Sequence, residues 1–177
     1  MKSTKAASRY AKALLELAID QKKIDSILGD MVFLLEVSSE SKDFELLVNS
    51  PLVKSDKKIE IFELIFEQFE KESMDFIKLI TNNRRESMLP AIAASFDMLV
   101  KDHRGIVPVT IITASKMDSE TRDALLTKIK SSVKGELELT ERIDESLIGG
   151  FLVEMGDIQI DATVLNQFNN LKQRLTR

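Results

Sequence analysis

Cysteine is absent from the 177 residues, which excludes disulfides, thiolate catalysis and thiolate metal sites. Histidine occurs once, as His103, and no carboxylates accompany it at a ligand-like spacing, so neither a zinc site nor a histidine-based triad is indicated. At a helix end its partial positive charge simply suits the dipole. No run approaches the roughly 18 apolar residues of a membrane span. Instead the apolar residues, 44% of the chain, are interleaved with charge. The N-terminus has no apolar segment with a small-residue cleavage site, which argues against a secretory signal. Charge of one sign is not in excess anywhere: residues 1–105 hold 16 basic and 18 acidic side chains and residues 106–177 hold 9 and 11, so each part stands at −2 of the total −4. Without a basic face, nucleic acid is not an expected partner. Gly149-Gly150 lacks the lysine and hydroxyl residue of a phosphate loop, and the arginines within residues 82–85 read as a solvated turn. Scattered carboxylates such as Glu63, Glu67 and Asp97 form no motif. The residues call for no catalytic centre, cofactor or metal.

What the chain does have is helical period. Ala7, Tyr10, Ala11, Leu14, Leu17 and Ala18 form a stripe over residues 3–19, small enough in side chain to let another helix come close. Residues 23–37 repeat the pattern with Ile24, Ile27, Leu28, Met31, Leu34 and Leu35, and the serines of residues 38–41 end it. A short turn through Phe44, Leu47 and Val48 precedes the break at Pro51. Ser55 or Asp56 is the expected cap of a helix bearing Ile59, Phe62, Ile65, Phe66 and Phe69. Residues 73–81 are apolar on more than one side, so that helix is central or two-faced. Ser87 is the expected cap of the next one, with Pro90 in its first turn and Leu89, Ile92, Ala93, Phe96, Leu99 and Val100 on one face.

At Gly105 the period changes. Ile106, Val107, Val109, Ile111 and Ile112 are rich in β-branched residues, and Pro108 places that strand at an edge or leaves it incompletely paired there. A helix capped by Asp118 or Ser119 carries Leu125, Leu126, Ile129 and Val133, and Leu137, Leu139 and Ile143 alternate with polar residues as a half-wet strand. Residues 151–155 and 158–160 read as a hairpin around Gly156-Asp157, and Asp161 is the expected cap of a last helix with Leu165, Phe168, Leu171 and Leu175. The expected fold is therefore mainly α: a six-helix bundle in residues 1–105 and a small α/β domain in residues 106–177.

Taken together, Leu137, Leu139, Ile143-Asp144, Leu147, Gly149-Gly150-Phe151, Val153-Glu154, Gly156 and Ile160-Asp161, with the opening run from Ala7 to Leu14 and with Asn83-Arg84, Leu89-Pro90 and Phe96, resemble the delta subunit family of F-type ATP synthases, related to the mitochondrial oligomycin sensitivity-conferring protein. Ala162-Thr163 depart from the glycine and serine that the family often has after the aspartate. In this pattern Gly149, Gly150, Gly156 and Asp161 mark structure, the glycines supplying backbone freedom. The resemblance implies a non-catalytic peripheral stalk subunit. Its helical domain would bind the N-terminal helix of an alpha subunit of the catalytic head, and its C-terminal domain would meet the b subunits. Carried over, Tyr10, Ala13, Leu14 and Leu17 with Phe76, Ile77 and Ile80 are the candidates for the alpha-binding groove. The absence of a transit-like leader favours a bacterial protein, peripheral on the cytoplasmic side of the cell membrane. The alternative is an RNA-binding antitermination factor of the NusB type, on fold analogy alone, followed by a hydrolase built from scattered carboxylates.

Overall fold

The computed structural model describes residues 5–117, 122, 125–127, 129, 135–156 and 158–175. The chain divides into two compact units, Met1–Val100 and Lys101–Arg177. The first is helical: α1 (Lys5–Asp20), α2 (Ile24–Glu40), α3 (Lys42–Asn49), α4 (Ser55–Ile65), α5 (Lys71–Asn82), a 3-10 turn (Glu86–Met88) and α6 (Leu89–His103). Most of each periodic apolar stripe turns inward, with Leu17 of α1 and Ile65 of α4 left exposed. Ala7, Ala11, Leu14 and Ala18 of α1 meet Ile27, Met31 and Leu34 of α2, Phe76, Ile77 and Ile80 of α5, and Ile92, Ala93, Phe96 and Val100 of α6 in one core. Phe44, Phe62, Phe66 and Phe69 extend it as a chain of ring contacts, the closest being Phe66 on Phe69 with centroids 4.5 Å apart.

Several helix ends differ from the sequence expectation. Lys54, not Ser55 or Asp56, is the N-cap of α4 and makes no side-chain bond; Asp56 lies in the first turn, where its charge meets the positive end of the helix dipole. Ser87 lies inside the 3-10 turn and does not cap α6, which starts at Leu89 with Pro90 second. Its cap role is pre-empted because the 3-10 bond from Met88 N–H to Arg85 C=O winds the chain before the helix begins. The serines of residues 38–41 do end α2, though at Glu40 with Ser41 as C-cap rather than at Val37: Ser38 and Ser39 donate back to Leu34 and Glu36 carbonyls within the helix, and Ser41 also accepts the Phe44 N–H as N-cap of α3.

The second unit is a four-stranded sheet of β1 (Ile106–Thr113), β2 (Glu136–Ile143), β3 (Gly150–Met155) and β4 (Ile158–Thr163), in the order β2-β1-β3-β4, followed by α7 (Val164–Leu175). β1 is parallel to β2 and antiparallel to β3, so it is an interior strand rather than an edge. Pro108 is tolerated because pairing with β3 begins only at Val109. By register, Val107, Val109, Ile111, Leu137, Leu139, Phe151, Val153 and Met155 share one face, and the helical residues Leu125, Leu126 and Ile129 pack on it. Met155 opposite Ile158 fixes a two-residue hairpin, with Gly156 at φ +56°. Asp118, Ser119, Val133 and Asp157 lie outside the described residues.

Candidate functional site on α1 and α5

The paired arrangement of α1 and α5 starts from how each helix stops. Lys22 takes φ +55°, and its N–H reaches Ile19 C=O at 3.0 Å while Lys23 N–H reaches Ala18 C=O at 2.9 Å. The same two bonds close α5: Arg84, also at φ +55°, donates to Thr81 C=O at 2.9 Å and Arg85 to Ile80 C=O at 3.0 Å. Both ends are thus closed by a left-handed residue carrying a side chain where glycine is usual.

The residue after each closure then reaches across. Lys23 Nζ donates to Glu70 Oε2 at 2.8 Å and to both Glu72 oxygens at 3.1 Å, at the start of α5. Arg85 Nη1 donates to Tyr10 Oη at 2.8 Å, and its guanidinium carbon lies 5.7 Å from the Tyr10 ring centroid. The end of α1 is tied to the start of α5, and the end of α5 to the first half of α1, so the two run antiparallel. Tyr10 to Lys23 and Glu72 to Arg85 are both 13 steps along the chain (23 − 10 and 85 − 72), of which the steps to Asp20 and to Asn82 are helical and span about 15 Å. That match sets Leu17 about level with Lys78 and Leu79.

Of the expected groove residues, Tyr10 is half-buried, Ala13 is exposed and Leu17 is 37% exposed. Leu14, Phe76, Ile77 and Ile80 are buried in the core of this unit together with Ala7, Ala11 and Ala18 of α1. They support the surface from beneath and are not open to a partner in this state, a correction to the sequence expectation. Leu79, 52% exposed, was not among the expected groove residues. Its signal was available: Ser73, Phe76, Ile77 and Ile80 define the inward stripe of α5, and Leu79 falls outside it.

Charge supports the pair. Asp30 Oδ2 accepts the Glu70 N–H at 3.0 Å at the entry to α5, and burial pushes its carboxyl above the ordinary value against the pull of that amide. Glu72 is held below its ordinary value, first by its own backbone amide and then by Lys23. Elsewhere in the unit, Lys58, 1% exposed, donates to Val48 C=O at 3.1 Å and pairs with Glu86 Oε1 at 2.5 Å. Glu86 also lines an open cavity of about 710 Å³ with Asn49, Lys54, Ser55, Asn82 and Arg84.

In the second unit, Gly150 has φ +82°, and a Cβ there would lie 2.4 Å from Ala162 C=O, so the close approach of β3 and β4 requires glycine. Asp161 does not cap α7. It sits in β4 and accepts the Thr163 N–H at 2.9 Å, while Thr163 Oγ1 accepts from Asn166 N–H at 3.3 Å and acts as the cap. The cap falls two residues later because β4 continues to Thr163 opposite Gly150. Along α7, Val164, Leu165, Phe168 and Leu171 form an apolar stripe of which every member is exposed, Phe168 by 62%. Ile158 and Ile160 share the covered sheet face by register but lie exposed at its edge.

Among the described residues, no group of three or more histidine, cysteine or acidic side chains could hold a metal ion, and no helix is long and apolar enough to cross a membrane. His103 ends α6, and Glu63 pairs with Lys78 at 2.6 Å.

The family model described as ATP synthase delta (OSCP) subunit matches residues 6–175. The ATP synthase subunit delta of Chlorobaculum parvum is 32% identical over 176 residues, covering 99% of this chain and 97% of its own. That of Cytophaga hutchinsonii is 32% identical over 177 residues with the same two coverages. Among solved structures, a chain of the cryo-EM structure of the Toxoplasma gondii mitochondrial ATP synthase hexamer superposes with a TM-score of 0.80, covering 98% of this chain and 99% of that one. At 19% identity that likeness concerns the fold alone.

Proposed function

The chain belongs to the ATP synthase delta (OSCP) subunit family, a stalk subunit rather than a catalytic one, and from that premise we propose that it joins the catalytic head of an F-type ATP synthase to the b subunits. The observation that carries this reading is the α1–α5 pair, bonded at both ends and bearing Tyr10, Ala13, Leu17 and Leu79 on its outer side. Such a surface accepts an amphipathic helix, here the N-terminal helix of an alpha subunit, through many small apolar contacts while backbone bonds stay within each helix. A stable interface of this kind removes about 800 Å² per partner from water. The stripe of α7 with Ile158 and Ile160 supports the second attachment, to the b subunits.

The mechanism is mechanical: residues 1–105 hold the head and residues 106–177 hold the stalk. The head then stays still while the rotor turns, and proton flow remains coupled to ATP synthesis. In a bacterium the subunit works at the cytoplasmic side of the membrane, bound to the complex. Calorimetric titration of the full chain with an alpha N-terminal peptide tests the first contact. Ala13→Glu, on the outer side, should weaken binding with the fold retained, whereas Leu79→Asp should do so more strongly. Unchanged affinity in both variants removes this surface from the site. A charge at Ile77, which is buried, would unfold the unit and test nothing about binding.

A further inference from the structure

Two cationic doublets, Lys22-Lys23 and Arg84-Arg85, occupy equivalent places at the ends of α1 and α5. In each, the first residue is left-handed and closes its helix, and the second extends to the other helix. The cross-links are reciprocal, Lys23 to Glu70 and Glu72 and Arg85 to Tyr10, and of these residues only Tyr10 packs against the apolar core. The Lys23 ion pairs are partly exposed and add little to stability, and the Arg85–Tyr10 link is a hydrogen bond with the guanidinium over the ring rather than an ion pair. Both doublets nevertheless hold left-handed backbone that costs about 1–2 kcal/mol per residue when a side chain is present. Helix closure alone would be served better by glycine at residues 22 and 84.

We propose that Lys23 and Arg85 are positioning residues for the helical partner, fixing the spacing and the lengthwise register of α1 against α5 so that Tyr10, Ala13, Leu17 and Leu79 present one continuous surface. The inference rests on the α1–α5 docking reading above. On α1 only Leu14 and Leu15 bring large side chains into the core beside Ala7, Ala11 and Ala18, so the packed face interlocks little and leaves register to be fixed by polar cross-links. The two clamps, at opposite ends of the pair, oppose that freedom together: a lengthwise shift of α1 carries Tyr10 and Lys23 away from bonding distance of Arg85 and of Glu70 and Glu72. Binding then meets a surface already ordered, which lowers the cost of association.

The test uses the full chain, a synthetic peptide of the alpha N-terminal helix from the same synthase, and calorimetry beside thermal unfolding. Lys23→Gln and Arg85→Gln should each weaken the peptide at least about fivefold, the lower end of ordinary coupling between sites, with the midpoint of unfolding nearly unchanged. Lys23→Arg, which still reaches the two glutamates, should restore affinity. Rescue by Lys23→Arg together with loss in a Glu70→Gln, Glu72→Gln variant that keeps Lys23 separates the clamp from a direct contact of Lys23 with the peptide. If the peptide binds wild type and both glutamine variants equally, the positioning role is refuted while the docking reading stands. If it fails to bind wild type, the docking reading falls and the positioning role with it. An equal drop in affinity and unfolding midpoint for Lys23→Gln, without rescue by arginine, also overturns the role, because the lysine is then only structural.

Discussion

Glu86→Ala should be far more damaging than Lys58→Met, although the two residues form one ion pair. Lys58 is 1% exposed and its Nζ has two oxygens in reach, Val48 C=O at 3.1 Å and Glu86 Oε1 at 2.5 Å. Removing the carboxylate leaves a cation in the core with one neutral acceptor, a situation that costs about 3–5 kcal/mol. Removing the cation is milder. Methionine refills most of the space of the lysine stem, and although Glu86 is only 13% exposed and its Oε2 already lies buried without a partner, it lines the open 710 Å³ cavity, so turning the carboxylate into that cavity lets water replace Nζ. What remains is the lost donor to Val48 C=O, about 1–2 kcal/mol. Urea unfolding followed by the fluorescence of Tyr10, the sole tyrosine in a chain without tryptophan, reports this unit. The double variant Lys58→Met with Glu86→Leu should recover most of the Glu86→Ala loss. Equal losses for the two single variants, or a larger one for Lys58→Met, would refute the asymmetry.

Gly150→Ala should destabilise the sheet unit by about 2 kcal/mol or more, since the new Cβ meets Ala162 C=O at a positive φ; faster exchange of the β3 and β4 amides is the readout, and unchanged exchange would contradict it. Arg84→Gly should stabilise the helical unit by about 1 kcal/mol by relieving left-handed backbone while leaving Arg85 in place, seen as a higher unfolding midpoint. Asp30 supplies a pH signature. Its folded pKa lies above the unfolded value, so the native state binds the proton more readily, and its penalty at neutral pH fades as pH falls through the folded pKa toward the ordinary carboxylate range. Asp30→Asn should therefore remove a stabilising component from the acid side of the urea-midpoint profile, and a profile identical to wild type would count against it. Phe96→Ala, at a fully buried position, should cost about 3–5 kcal/mol, and a small change in urea midpoint would deny it a core role.

Much of the fold could be read from the order of residues because period and breaker coincide. The stripe from Leu89 to Val100, then Gly105, then the β-branched run of β1 changes period within a few residues, and the two residues between Met155 and Ile158 leave one hairpin register. Caps were read less well. Ser55, Ser87 and Asp161 all have the right chemistry, but the choice among adjacent candidates depends on where the preceding strand or turn ends, which is a tertiary matter. The candidate site was legible to the level of the helices that build it. Ala13 and Leu17 stand outward, but Leu14, Ile77 and Ile80 were indistinguishable from them by residue type, since small and branched apolar side chains serve core and interface alike. Lys58 and the clamps of Lys23 and Arg85 were invisible, because long-range polar pairing leaves no periodic trace.

Reconstitution measures the central claim most directly. Catalytic heads stripped of this subunit are returned, with and without the full chain, to membranes that retain the b subunits, and ATP-driven proton pumping is recorded. The account predicts that heads rebind and pump only when the chain is supplied, and that Leu79→Asp in the helical unit and Phe168→Asp in the sheet unit each abolish this. Full pumping without the chain, or undiminished pumping with both variants, would contradict it.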